Sequence, residues 1–295
     1  MAYENITCPL CGDREDKGLF HDTVWGGDPE DVFLHCSQCD IVFLYPFPSD
    51  DALNSFYKNE FGSYMIERSM EMDWGNLEKQ YNNLSQRELP LRKPFFENYL
   101  TNGTVVEIGS STGFLLDYLR NNGIEAHGVE PSRMHAEFSE SKGNVIFESI
   151  QSLEKSYDLG LHYYVLEHVP NPAVFLESCI SKIKSGGHLI FEVPHRNDAL
   201  LAYYNLSSYK NFILQKMHLF YYSISSLEFL LDSLGLDYEF VPGQRYGLKN
   251  HLHWLRFGKP GVSFPIINES TEKAYKTDLI NASYFDYFVV IVKVK

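Results

Sequence analysis

From residue 104 onward, short apolar runs alternate with stretches whose apolar positions recur at helical spacing. TVVEI (104–108), EAHGV (125–129), NVIF (144–147), YDLGLHY (157–163) and GHLIFEV (187–193) are strand-like. Strands separated by amphipathic helices predict a parallel, doubly wound sheet in an α/β domain. An aromatic-rich insertion at 195–222 then breaks the rhythm. Leu227, Leu230, Leu231 and Leu234 mark the next helix face, with Ser225 and Glu228 as the expected capping box and Gly235 as the stop. A sixth strand near 237–246, an irregular insertion at 247–283 and a closing strand in YFDYFVVIVKV (284–294) complete a Rossmann-like sheet of seven strands.

The chain before residue 104 has a different pattern. DVFLHCSQCDIVFLYP (31–46) supplies two short apolar strands around Cys36 and Cys39, and Pro46 and Pro48 end that pattern because proline cannot continue a ladder. Residues 49–103 carry helical spacing, as at Phe95, Phe96, Tyr99 and Leu100, and are expected to connect the two parts and fold over the ligand cleft. Cys8 and Cys11 form a second C-x-x-C pair, with 24 residues between the two pairs. Four thiolates so spaced suit a tetrahedral, closed and therefore structural Zn²⁺ site in a ribbon over residues 1–48. Disulfides are the competing reading, and nothing in the sequence marks the protein as secreted. The fifth cysteine, Cys179, is expected to be a small buried apolar residue.

Composition narrows the partners. The 295 residues include 39 acidic and 25 basic side chains, a formal charge of −14, which argues against a nucleic-acid backbone as partner. No apolar run approaches the roughly 20 residues of a membrane span, and the expected location is cytoplasmic.

The first strand runs into Glu107-Ile108-Gly109-Ser110-Ser111-Thr112-Gly113-Phe114. A triphosphate loop would need lysine after the last glycine, where Phe114 stands, and a dinucleotide loop would need glycine where Ser111 stands. What remains is E-x-G-x-x-x-G, with a carboxylate beside the turn that repels phosphate and suits the cationic amino-acid end of a ligand.

Over residues 104–294 this motif, GVEPS (128–132), VLEHVPNP (165–172) and GGHLIFEVP (186–194) together resemble the class I S-adenosylmethionine-dependent methyltransferases. The resemblance implies S-adenosylmethionine as cofactor. It places Glu107, Gly109, Ser110, Gly113 and Phe114 around the cofactor, Glu130 and Pro131 at the ribose, Ile150 against adenine, and His162 and Tyr163 beside the methionine part. Core packing is the other reading for Ile150, His162 and Tyr163.

The two C-x-x-C pairs, HLFYYS (218–223) and QRYGLKNHLHWL (244–255) resemble methyltransferases that carry a zinc ribbon, many of them acting in nucleotide-sugar and surface-polysaccharide pathways. In the sugar C-methyltransferases of that group a tyrosine and a histidine precede the Y-Y-S element and are assigned to catalysis. Here His218 matches the histidine, but the tyrosine's place is held by Gln215. This favours O- or N-methylation over methylation of carbon; for a hydroxyl acceptor His218 is the expected base, with His195, His251 and His253 as other candidates. His195, Tyr222, Arg245, Asn250 and His251 are the expected acceptor contacts. Arg196, Lys210, Lys216, Arg245 and Lys249 either converge on a phosphorylated, sugar-linked small acceptor or are scattered solvated charges. C-methylation of a keto sugar and a cofactor-sensing module without turnover are the alternatives.

Overall fold

A computed structural model of the chain describes residues 2–68, 75–100 and 103–295. Two sheets organise it. The first contains β1 (Ala2–Tyr3), β2 (Lys17–His21), β3 (Val32–Cys36) and β4 (Ile41–Tyr45), consecutive and antiparallel. Phe33, Leu34 and the run Ile41 to Leu44 are buried, so both faces of β3 and β4 are covered and no polar alternation is needed.

The second sheet is built from β5 (Thr104–Ile108), β6 (Glu125–Val129), β7 (Val145–Phe147), β8 (Tyr157–Tyr163) and β9 (Ile183–Pro194), all parallel. After these come β10 (Phe220–Tyr221), β11 (Asp237–Gly243) and β12 (Tyr287–Lys293). The seven-stranded order is β11-β12-β9-β8-β5-β6-β7, with β12 antiparallel to both neighbours. The chain moves outward from β5 to β6 and β7, then returns to place β8 on the other side of β5. Ligands of open α/β sheets bind outside the carboxyl ends of the strands at such a reversal.

The short β10 leaves that sheet and pairs with β4, Phe220 opposite Phe43 and Tyr221 opposite Val42. The aromatic insertion therefore supplies the fifth strand of the N-terminal sheet. One buried apolar cluster runs from Phe33 and Phe43 through Phe220 and Tyr221 to Phe191 and Leu227. A second, on the other face, holds Phe96, Phe114, Leu115, Leu161 and Tyr163. The late connector helices Leu77–Arg87 and Leu89–Phe96 lie on this second face, where Tyr81 donates to Asp117 at 2.7 Å and Gln80 meets His135 at 3.2 Å.

Three local expectations are corrected. The helix Ile224–Ser233 is capped two residues earlier than expected, by Ser223 and Ser226, each hydroxyl accepting the other's backbone N–H. Residues 247–283 are not irregular: helices Leu248–Phe257 and Glu269–Asn281 fill most of the insertion, the first ended by Gly258 at φ +65° and the second capped by Asn268. The sixth strand stops at Gly243 rather than near 246, because the Asp286 carboxylate takes the N–H groups of Arg245 and Tyr246 at 2.9 Å each. Cys179 is buried in the apolar cluster, and burial pushes its thiol pKa up.

Candidate functional site

The glycine turn follows directly from β5. Gly109 and Ser110 donate backbone N–H groups to Val129 O at 2.8 and 3.1 Å, which ties the turn to the end of β6. Gly113 sits at φ +76° at the start of the helix Phe114–Asn121, and a Cβ there would lie 2.0 Å from Ser139 Oγ. Glycine is needed for both the backbone angle and the space. Glu130, at the end of β6, is 9% exposed, and its two carboxylate oxygens accept from Ser111 N at 2.7 Å and Ser132 N at 2.8 Å. Its pKa is raised by burial, against which those two hydrogen bonds act. Each oxygen keeps a lone pair for a ligand hydroxyl. Pro131 beside it is exposed, and Ile150 is buried at the head of a short 3₁₀ turn.

Glu107 is buried, and its Oε2 has no hydrogen-bond partner among the described residues. Burial pushes its pKa up to about 8, with Arg92 opposing and Glu130 adding to the rise. Ser110 Oγ, Thr112 Oγ1 and Tyr163 OH are also buried without partners. Arg92 lies 4.2 Å over the Tyr163 ring and 5.5 Å from that of Phe114, which places all three on the Glu107 face. Buried polar groups are ordinarily hydrogen-bonded, so four unpartnered atoms around one turn fit a polar ligand with a cationic end. His162 is on the other face. Its ring stacks on Phe191 at 4.7 Å and meets Phe175 edge-on, so it is a core residue rather than a border of the turn.

A cavity of about 150 Å³ opens at the carboxyl ends of β8 and β9. Tyr164, Tyr209, Tyr221 and Tyr246 contribute to its walls, with Leu201 and Ile213. His195, His218, Asp198, Asp286 and Arg245 bring the polar groups. Burial pushes Asp198 up to about 6 and Asp286 up to about 7, the latter helped by Asp198 nearby. His195 is held down at about 4 by burial, and His218 is held well below the usual range by burial and by His168 and Arg68. Glu167, His168 and His218 bring possible ligand atoms within 4.8 Å of one another, and burial lifts Glu167 to about 8.

The cavity does not gather all the acceptor contacts expected from sequence. Tyr221 lines it, whereas Tyr222 turns inward with its OH 3.5 Å from Leu166 O. Asn250 and His251 ride on the helix Leu248–Phe257 outside the cavity wall, and His251 Nδ1 is taken by Tyr275 OH at 2.9 Å. His253 Nδ1 is taken by Lys259 O. The basic residues do not converge. Arg196 pairs with Asp40 at 2.8 Å, Lys216 with Asp28 at 3.0 Å, and Lys210 lies over Phe20. Arg245 alone of the five reaches the cavity, and it is divided between Glu192 at 2.7 Å and Glu88 at 3.2 Å.

Sequence reasoning missed Glu88, Arg92, Tyr164, Asp198 and Asp286. Glu88 and Arg92 stand four apart on a helical pattern, which from sequence alone is indistinguishable from a solvated i, i+4 pair.

The four ribbon cysteines meet in space, Cys8 Sγ to Cys39 Sγ and Cys11 Sγ to Cys36 Sγ each 3.7 Å apart. A disulfide would need about 2.05 Å. The edge of an S₄ tetrahedron with bonds of about 2.3 Å is about 3.8 Å, so the thiols are free and their arrangement fits a tetrahedral ion.

The seven-stranded order with its reversed β12 is the Rossmann-like fold of the S-adenosylmethionine-dependent methyltransferases. Residues 78–239 match a family model described as a methyltransferase domain, more than half of the chain, and the protein belongs to that family. Over 142 residues it is 28% identical to the ubiquinone biosynthesis O-methyltransferase of Vibrio cholerae, covering 43% of this chain and 58% of that one. It is 31% identical over 140 residues to the protein of the same name from Serratia proteamaculans, covering 42% and 57%. The chain thus spans less than two thirds of the length of these curated relatives. Among solved structures, an S-adenosylmethionine-dependent methyltransferase from Archaeoglobus fulgidus superposes with a TM-score of 0.50 at 20% identity, over 72% of this chain and 94% of that one. The plantazolicin methyltransferase BpumL, solved in complex with a monoazolic desmethylPZN analog and SAH, gives 0.50 at 13% identity over 82% and 94%. Both likenesses concern the fold. No helix among the described residues is long and apolar enough to cross a membrane.

Proposed function

We propose that this protein transfers a methyl group from S-adenosylmethionine to a hydroxyl on a six-membered ring, and that Cys8, Cys11, Cys36 and Cys39 hold a structural zinc ion. The observation that carries the cofactor reading is the buried, unpartnered Glu107 carboxylate beside a glycine turn, with Glu130 pinned by two backbone N–H groups across from it. Glu107 would take the ammonium end and Glu130 the ribose hydroxyls. When bound, the cofactor supplies an electrophilic sulfonium methyl. The protein's part is to seat the acceptor, exclude water and accept a proton.

A cavity of about 150 Å³ has room for one ring of benzene's size, which is why one ring is the proposed acceptor unit. Oxygen as the acceptor atom is supported by the O-methyltransferase names of the relatives. It is supported again by Gln215, whose side chain lies between His218 and Tyr64 where a catalytic tyrosine would be needed for C-methylation. A sugar ring remains the reading suggested by the ribbon and the HLFYYS segment. The phosphate part of that reading lacks support, since the cationic side chains nearby are already paired.

Calorimetric titration with S-adenosylhomocysteine, with NAD and ATP as controls, tests the cofactor. Micromolar binding of S-adenosylhomocysteine alone is expected, and its absence from folded, zinc-loaded protein would refute the reading. Methyl transfer should then be at least as good to a free sugar or a phenol as to a sugar nucleotide. A strict requirement for diphosphate would overturn the neutral-ring assignment.

A further inference from the structure

Two histidines line the acceptor cavity, and their hydrogen bonds distinguish them. His195 Nδ1 lies 3.0 Å from Phe285 O. A carbonyl only accepts, so Nδ1 carries the proton and the lone pair is on Nε2. His195 Nε2 is buried and has no partner among the described residues. The ring cannot turn to exchange these roles, because it stacks on Phe285 at 4.3 Å and packs against Phe288 at 5.1 Å. Its backbone is fixed as well, His195 N donating to Asp286 O at 2.9 Å.

For His218 the bonds run the other way. Tyr64 OH has two acceptors in reach, Gln215 Oε1 at 3.2 Å and Trp25 O at 3.4 Å, and donation to the shorter orients the Gln215 amide with its NH₂ group at the other end. That group lies 2.8 Å from His218 Nε2 and donates to it. The lone pair of His218 is therefore occupied, and its unpartnered Nδ1 is the protonated nitrogen.

We infer that His195, not His218, is the proton acceptor of the reaction, with Nε2 receiving the proton of a ring hydroxyl seated among Tyr164, Tyr209 and Tyr246. The inference rests on the O-methyl transfer proposed above. In the balanced step the hydroxyl proton passes to Nε2, the oxygen bonds to the methyl carbon, and the electron pair of the broken carbon–sulfur bond leaves on sulfur. The proton is later released to water, and His195 returns to its neutral form. His218 then acts as a donor on the same wall.

Long-range ¹H–¹⁵N correlation on ¹⁵N-labelled protein tests the tautomer without any turnover, with His195→Asn assigning the signals. The neutral Nδ1–H form of His195 is expected throughout about pH 5.5 to 8, since burial holds its pKa near 4. An Nε2–H form, or titration near the ordinary histidine value, would overturn the inference. Phenol added to the S-adenosylhomocysteine complex should shift the Nε2 resonance as that nitrogen accepts a hydrogen bond, and an unmoved resonance at saturating phenol would overturn it too. His195→Asn retains an amide N–H able to reach Phe285 O but has no lone pair at the Nε2 position. It should bind S-adenosylhomocysteine like the wild type and methylate catechol about 100-fold more slowly. Undiminished turnover would assign the base elsewhere. A wild type that binds no S-adenosylhomocysteine would defeat the methyltransferase reading, while the tautomer measurement still decides which histidine carries the lone pair.

Discussion

Around the glycine turn, the polar atoms come from the ends of β5, β6 and β8 and the loop that follows β5, and backbone N–H groups fix the turn and Glu130 in place. Around His195 they come from six stretches of chain, residues 164, 194–201, 209–213, 218–221, 245–246 and 286, tied to one another by bonds between distant segments such as those from Arg245 N and Tyr246 N to Asp286. A site fixed by backbone geometry needs few residue identities and tolerates change elsewhere. A site assembled from six stretches depends on everything that positions them, including the N-terminal sheet. Asp40, next to Cys39 of the four-cysteine cluster, pairs with Arg196, next to His195, and Ser223 Oγ donates to Asp40 O at 3.2 Å.

The largest expected effect separates the two ends by removing that support. Cys39→Ser, or prolonged chelation, should cost several kcal/mol of stability, by analogy with structural zinc sites. At a temperature where the variant stays folded, acceptor turnover should be lost well before S-adenosylhomocysteine binding. Equal loss of both would show that the two ends share one foundation, and an unchanged melting midpoint would remove the ion from the account.

Next comes pH, which probes carboxyls at both ends. Glu107 and Glu167 at about 8, Asp286 at about 7 and Asp198 at about 6 all lie above their unfolded values because of burial. The folded state therefore binds more protons than the unfolded state. The contribution is present in full below about pH 4 and is lost as pH rises from there through the folded values of 6 to 8, at about 1.4 kcal/mol per group per pH unit. Thermal unfolding should show the midpoint falling between about pH 4 and 8 and levelling off above that. At the cofactor end, an ammonium group beside Glu107 lowers its pKa, so binding at pH 7 should release close to one proton. Calorimetry in buffers of different ionisation enthalpy measures it, and zero release would remove Glu107 from contact with the cation.

Glu130→Ala is expected to weaken S-adenosylhomocysteine binding about 10- to 100-fold, the worth of one or two charge-assisted hydrogen bonds. Acceptor KM should be little changed. Unchanged cofactor affinity would put the ribose elsewhere. The smallest effect is reserved for Arg196→Met, which keeps the apolar stem and releases Asp40. A rise of a few-fold in acceptor KM with cofactor affinity intact is expected, and no change would mean that the ribbon braces the cavity only through β10.

The same contrast explains what could be read from the sequence. Strands β5, β6 and β8 and the glycine turn were legible because each is local: period, turn and charge fall within about ten consecutive residues. The four cysteines were legible because ligand spacing is itself a sequence property. The cavity was not, since Asp286 and Tyr164 are adjacent only after β12 inserts beside β9. Tyr221 and Tyr222 show the limit most simply. Neighbours in a strand point to opposite sides, and nothing in HLFYYS says which side is the cavity. His251 failed for another reason, as a stretch taken for irregular proved helical and carried the ring to Tyr275.

The pairing of β10 with β4 bears on how this chain can be cut or recombined. A protein shortened to begin after residue 48 would lose its four-cysteine cluster and would also strip one edge from Phe220 and Tyr221, exposing an aromatic strand with unpaired backbone groups. The first 45 residues grafted onto another methyltransferase would lack their closing strand. The ribbon and the aromatic insertion can therefore be exchanged between relatives only as a matched pair, although about 175 residues separate them in the chain.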